Sequence, residues 1–143
     1  KRIGDGWITH FDEIKNLAKF AEDPEFRQEI FEIKQRNKQK LIDYIRHNVK
    51  VRDAKGLIIG SSPVIDVNSI FDVQVKRFHE YKRQLLNILN LIMIYFEIKE
   101  GKGQDRAKRT AIFSGKAAAS YETAKNIIQL INCISRKINR DPE

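Results

Sequence analysis

The chain of 143 residues holds a single cysteine, Cys133, so no internal disulfide can form within it. A disulfide-stapled scaffold is therefore excluded, and one thiol fits a reducing compartment such as the cytoplasm. Cys133 falls in an apolar helical stretch with Ile127, Ile131, Ile134 and Ile138. That setting predicts a small buried hydrophobe rather than a nucleophile. Long hydrophobic runs are also missing. The longest, from Leu85 to Phe96, is broken by Asn87 and Asn90 and is too short to span a bilayer. No apolar signal core follows the opening Lys1-Arg2-Ile3-Gly4-Asp5, so neither secretion nor membrane attachment is expected. The first residue is not methionine, which points to an excised piece of something longer. Histidine is scarce, and His10, His47 and His79 have no cysteine or acidic partners at ligand spacing, so no metal site is expected. There is no nucleophile elbow, no paired-carboxylate arrangement, no internal repeat and no low-complexity segment.

Acidic residues are in deficit. Lys and Arg number 27 against 19 Asp and Glu, a formal net charge of +8. Such a chain attracts phosphate-bearing partners: nucleic acid, anionic membrane, nucleotides or sugar phosphates. A solvated basic surface gives the same excess. Apolar residues at 41% and charged residues at 32% match an ordinary soluble domain, and the length suffices for one core.

Thr9-x-x-Asp12 matches a capping box, ahead of a stripe formed by Phe11, Ile14, Ala18 and Ala21. Asp23-Pro24-Glu25 is a stronger helix start: a capping aspartate, proline at the first position, an acid in the first turn. The helix it opens is predicted to run to about Asn48, with Phe26, Ile30, Ile33, Asn37, Leu41, Tyr44 and Ile45 on one face. Lys34, Arg36, Lys38 and Lys40 lie on the other face, which is either a solvated surface or a nucleic-acid contact. Residues 52–69 break the helical period with turn chemistry at Asp53-Ala54-Lys55-Gly56 and Gly60-Ser61-Ser62-Pro63. The apolar pieces between and after them, Leu57–Ile59 and Val64–Val67, fit short strands or packed loop equally.

Ile70–Lys76 reads as a strand, with Phe71, Val73 and Val75 on one face. A helix from about His79 to Ile98 follows, apolar nearly all round and therefore expected to be buried on most sides. Thr110–Phe113 reads as a second strand, and Ser114-Gly115-Lys116 turns into a last helix over about Ala118–Asn139. Two strand–turn–helix units in succession predict parallel strands, with ligands at their carboxyl ends. Two strands cannot make a complete sheet, so part of a larger sheet is expected.

The turn after the first of these strands is chemically dense. Lys76, Arg77, His79, Tyr81 and Lys82 fall within seven residues. Arginine offers a planar fork and lysine a point charge to a phosphate, and a following helix N-terminus adds free N–H groups. Lys82, about one turn into the expected helix, can fold back over the same pocket. A basic turn solvating a helix start is the plainer alternative. The Ser-Gly-Lys turn lacks the rest of a Walker A loop and reads as a tight turn with an exposed lysine.

The segment Phe71–Asn87, with Val75-Lys76-Arg77-Phe78-His79-Glu80-Tyr81-Lys82-Arg83-Gln84 at its centre, resembles the signature of the α-glucan phosphorylases. Ile3-Gly4-Asp5-Gly6-Trp7 is similar to the opening of that family's C-terminal half. Phe20–Phe26, Lys34–Lys38, Gly115–Ala118 and the tail Ile138–Pro142 fit as well, so the resemblance spans essentially the whole chain. It implies a helix-rich partial Rossmann-like α/β lobe of the type B glycosyltransferase kind, with two short parallel strands. It also implies one partial domain over residues 1–143: a helical part (1–51), an irregular connection (52–69) and two strand–helix units (70–143).

The resemblance further implies pyridoxal 5′-phosphate as cofactor and inorganic phosphate and α-1,4-glucan as substrates of the parent enzyme. The exposed edges and apolar faces of an incomplete sheet separately predict that the isolated segment forms a homodimer. Lys76 would contact the cofactor phosphate, Arg77 the substrate phosphate, and Lys82 would lie near both. His79 and Tyr81 would sit nearer the sugar, and Tyr121 would match a tyrosine at the mouth of the cleft. Arg77, Lys82, His79 and Tyr81 are thus the candidate catalytic residues. The family's Schiff-base lysine has no counterpart in this chain, so the isolated segment is expected to be inactive. Ala119-Ser120 stand where the family usually has Pro-Gly, which puts the Tyr121 loop in question. The rival from another class is a stand-alone basic domain binding nucleic acid or phosphate.

Overall fold

The computed structural model describes residues 2–52, 55, 57–61 and 63–142. The chain forms two compact units, Lys1–Ser62 and Pro63–Glu143.

The first unit is built on one long helix, α1 (Pro24–Asn48). It starts where Asp23-Pro24 predicts. The Asp23 carboxylate accepts from the backbone N–H groups of Glu25 at 3.0 Å and Phe26 at 3.3 Å, satisfying two of the four donors a helix start leaves free. Arg2 reinforces the cap. Its guanidinium bonds the Asp23 carboxylate at 2.9 Å and lies over the rings of Phe20 and Phe26. The preceding segment is a 3-10 turn (Gly6–Ile8) and a 3-10 stretch (Phe11–Phe20) rather than an α-helix. The expected capping box does not form: Thr9 Oγ1 donates back to Gly6 O at 3.2 Å, and the residue at the cap position is His10. Trp7 is partly exposed there.

Only Ile42 is fully buried on α1, and Ile30, Ile33 and Tyr44 of the expected stripe are exposed. Lys34, Arg36 and Lys40 are also exposed, with Lys38 half-buried. A short antiparallel pair follows, β1 (Lys50–Arg52) with β2 (Ile58–Ser61). The turns expected around them fall partly on Asp53, Ala54, Gly56 and Ser62, which lie outside the described residues.

The second unit holds β3 (Ile70–Val75), α2 (Gln84–Lys99), β4 (Arg109–Ser114) and α3 (Glu122–Asn139). β3 and β4 pair in parallel, in register from Ile70↔Arg109 to Val75↔Ser114. This is the mixed α/β lobe with a two-stranded parallel sheet that the strand–turn–helix pattern predicts. The sheet starts at a polar fastening: buried Ser69 lies 2.6 Å from the Thr110 hydroxyl and donates to Asp66 O. Phe78, Ala124 and Ile127 form the core, with Phe113, Ala117, Tyr121, Ile128 and Ile131 packed against it.

The C-terminal end of α2 shows why glycine is needed there. Gly101 adopts φ +74°, and Lys102 N returns to Glu97 O at 2.8 Å, the closing bond of a Schellman motif. Asp141 then ties the tail to the same helix end through Tyr95 and Lys99.

Two expectations fail on packing grounds. α2 is not buried on most sides: Leu86 and Met93 are 64% and 63% exposed, because two strands and one helix cannot cover an all-apolar cylinder. Cys133 is exposed. It falls six residues after Ile127, which places it about one-third of a helical turn away from the buried stripe. No described helix is long and apolar enough to cross a membrane.

Candidate functional site

Because β3 and β4 run parallel, both deliver their carboxyl ends to one edge of the second unit. The ladder continues past the strands. Lys76 N donates to Ser114 O at 3.0 Å, and Phe78 N donates to Lys116 O at 3.1 Å. The turn after β3 is thereby stitched to the turn after β4. Gly115 allows the approach: a Cβ at that position would lie 2.1 Å from Lys76 O and 3.0 Å from the Phe78 ring. The buried Phe78 ring anchors the turn to the core, while its neighbours Lys76 and Arg77 stay exposed.

The chain between β3 and α2 differs from expectation. α2 begins at Gln84, five residues later than the His79 expected from the apolar pattern. Lys82 therefore sits in the turn and not inside the helix. Its Nζ folds back and donates to Arg77 O at 3.0 Å. Lys76, Arg77 and Lys82 thus belong to one turn, and among the described residues no carboxylate pairs with any of them or with Lys116. Like charges held together without counter-charge leave a favourable place for an anion.

His79, Tyr81 and Tyr121 form an aromatic group on the same turn. The His79 ring centroid is 4.8 Å from Tyr81 and 5.5 Å from Tyr121. The Tyr121 hydroxyl accepts from Glu80 N at 3.2 Å, so the residue before α3 is fastened to the turn before α2. Tyr121 itself closes a turn from Ala118, its N–H bonded to Ala118 O at 3.0 Å, in the loop where Ala119-Ser120 replace Pro-Gly. An open groove of about 540 Å³ adjoins the site, lined in part by Val73, Val75, Lys76, Tyr81, Lys82 and Gln84. Arg77, His79 and Tyr121 stand outside its lining.

Gln84 is the candidate residue that the residue pattern alone did not single out. It is 1% exposed, and its carboxamide Nε2 donates to Arg77 O at 3.0 Å and, more weakly, to Lys76 O at 3.4 Å. Two carbonyl acceptors fix which end of the amide faces the turn. Its Oε1 is buried with no partner among the described residues, a cost of about 1–3 kcal/mol. The available signal was a polar residue opening an otherwise apolar helix, eight positions after Lys76.

Known proteins decide the family. The family model for carbohydrate phosphorylase matches residues 1–143. The chain belongs to the carbohydrate phosphorylase family. Glycogen phosphorylase of Synechocystis is 46% identical over 141 residues, 99% of this chain and 15% of that protein. Glycogen phosphorylase 2 of Dictyostelium discoideum is 45% identical, over 97% of this chain and 13% of that protein. The human muscle form of glycogen phosphorylase is 39% identical, over 99% and 15%. The chain thus spans about one-seventh of the length of these phosphorylases. In phosphorylases of that length, the matched stretch is a small part of the whole.

Proposed function

We propose that the chain is the phosphate-holding segment of a glycogen or other α-glucan phosphorylase. The parent is a pyridoxal-phosphate-dependent glycosyltransferase that moves a glucosyl unit from α-1,4-glucan to inorganic phosphate and releases glucose 1-phosphate. The observation that carries this is the gathering of Lys76, Arg77 and Lys82, none paired with a carboxylate, on one turn of a chain matched to the family throughout.

The donor set suits two phosphates. Pairs of unit charges about 4 Å apart interact by about 4 kcal/mol at an effective dielectric near 20, so two neighbouring anions need this local excess of cations. Lys76 would hold the phosphate end of pyridoxal 5′-phosphate, Arg77 would present its fork to the substrate phosphate, and Lys82 would serve both. The chemistry such a cofactor would supply there is a phosphate group able to relay a proton. His79 and Tyr81 contact the sugar side, and Tyr121 holds the cleft edge through the Glu80 amide. The setting is cytoplasmic, and the isolated segment pairs into a homodimer through its incomplete sheet. The stand-alone nucleic-acid-binding alternative keeps only the net charge and the basic face of α1 in its favour.

The test is phosphorolysis by the full-length protein that carries this segment. Replacing Lys82 with alanine should raise KM for phosphate and lower kcat by about tenfold or more in kcat/KM. Unchanged kinetics would remove the turn from the mechanism. The isolated chain should show no turnover even with pyridoxal phosphate added.

A further inference from the structure

Arg77 O is a shared acceptor. It receives Lys82 Nζ at 3.0 Å and Gln84 Nε2 at 3.0 Å, and the same Gln84 amide reaches Lys76 O at 3.4 Å. Gln84 is buried, while Lys82 sits half-exposed at the groove. The two donors therefore differ in freedom: one is locked in the structure and the other ends a flexible stem. An anion in the groove competes with Arg77 O for the Lys82 ammonium, and it wins on charge. Departure of Lys82 leaves the carbonyl with Gln84 alone.

We propose that Gln84 is a positioning residue. It carries the Arg77 carbonyl, so that Lys82 can leave it for the phosphate while the Lys76–Arg77 turn keeps its shape. This rests on the phosphorylase reading and names a residue that acts through Lys82 and Arg77. Without the Gln84 amide, Lys82 becomes the remaining side-chain donor to that carbonyl, and recruiting it to an anion lets the turn loosen.

The experiment uses the full-length protein with Gln84→Met, close in shape but without the donors, and Gln84→Glu. Wild-type phosphorolysis is measured first, since a wild-type protein without that activity sinks the functional reading and not this one. Two readouts follow: KM for phosphate against KM for glucan, and the Kd of inorganic phosphate by calorimetry, which needs no turnover. Gln84→Met should weaken phosphate about fivefold to tenfold in both, the scale of one lost hydrogen bond, with KM for glucan unchanged. Gln84→Glu should recover towards wild type as pH falls, because a protonated carboxyl regains one O–H donor for Arg77 O. The Gln84→Glu to wild-type ratio at each pH removes the titration of phosphate itself. Phosphate constants within twofold of wild type, or an equal rise in the glucan constant, would overturn the proposal. If Gln84→Met fails to fold, Gln84→Glu alone decides: a pH-independent ratio counts against it.

Discussion

Both units carry several cations in a short stretch and treat them in opposite ways. On α1, Lys34 and Lys38 lie on one flank of the helix and Arg36 and Lys40 on the other, and the helix buries a single residue, Ile42. In the second unit, Lys76, Arg77 and Lys82 are gathered on a turn whose backbone is held by Ser114, Lys116, Gln84 and the buried Phe78 ring. Charge count is therefore a poor guide to a binding site. What separates the two regions is the buried and hydrogen-bonded framework under the charges, which fixes where they point.

Substitutions can sharpen or break this contrast, and the largest effect belongs to the framework. Gly115→Ala would drive a methyl into the Lys76 carbonyl and the Phe78 ring. It should cost about 3 kcal/mol, read as a lower urea midpoint, and weaken phosphate binding at the same time. An unchanged midpoint would show that the two turns part easily. Next comes charge on that framework. Arg77→Ala in the full-length protein should lower kcat/KM for phosphorolysis by about 10²-fold, the usual scale for one preorganised donor. Asp23→Ala removes the α1 cap and the partner of Arg2, and should lower stability by about 1 kcal/mol without touching KM for phosphate. The smallest effect is predicted for Arg36→Ala, within about 0.5 kcal/mol in stability and with unchanged kinetics. A large kinetic effect there would erase the difference between the units and bring α1 into the reaction.

What could be read from residue order follows the same divide. The start of α1 was legible because Asp23-Pro24 acts locally, and β3 and β4 because their alternation is local as well. The start of α2 was not. Nothing between His79 and Arg83 forbids a helix, but Gln84 and Tyr121 bond the turn from outside and hold it open. The failed capping box at Thr9 has a similar cause, since the hydroxyl finds Gly6 O first. The cations of the candidate site were visible as a motif, whereas the bonds of Gln84 to their turn show only once the turn is folded.

The ladder that runs on beyond β3 and β4 has a kinetic signature. Lys76 and Phe78 are loop residues by backbone shape, yet their amide hydrogens are bonded to Ser114 O and Lys116 O as strand amides are. In deuterated water these two positions should exchange with the slow class of β3 and β4, opening only when the sheet opens. The neighbouring amides of His79 and Tyr81 should exchange early, while that of Glu80, bonded to the Tyr121 hydroxyl, is held longer. A drop in protection from Phe78 to His79 would mark where the rigid floor of the candidate site ends.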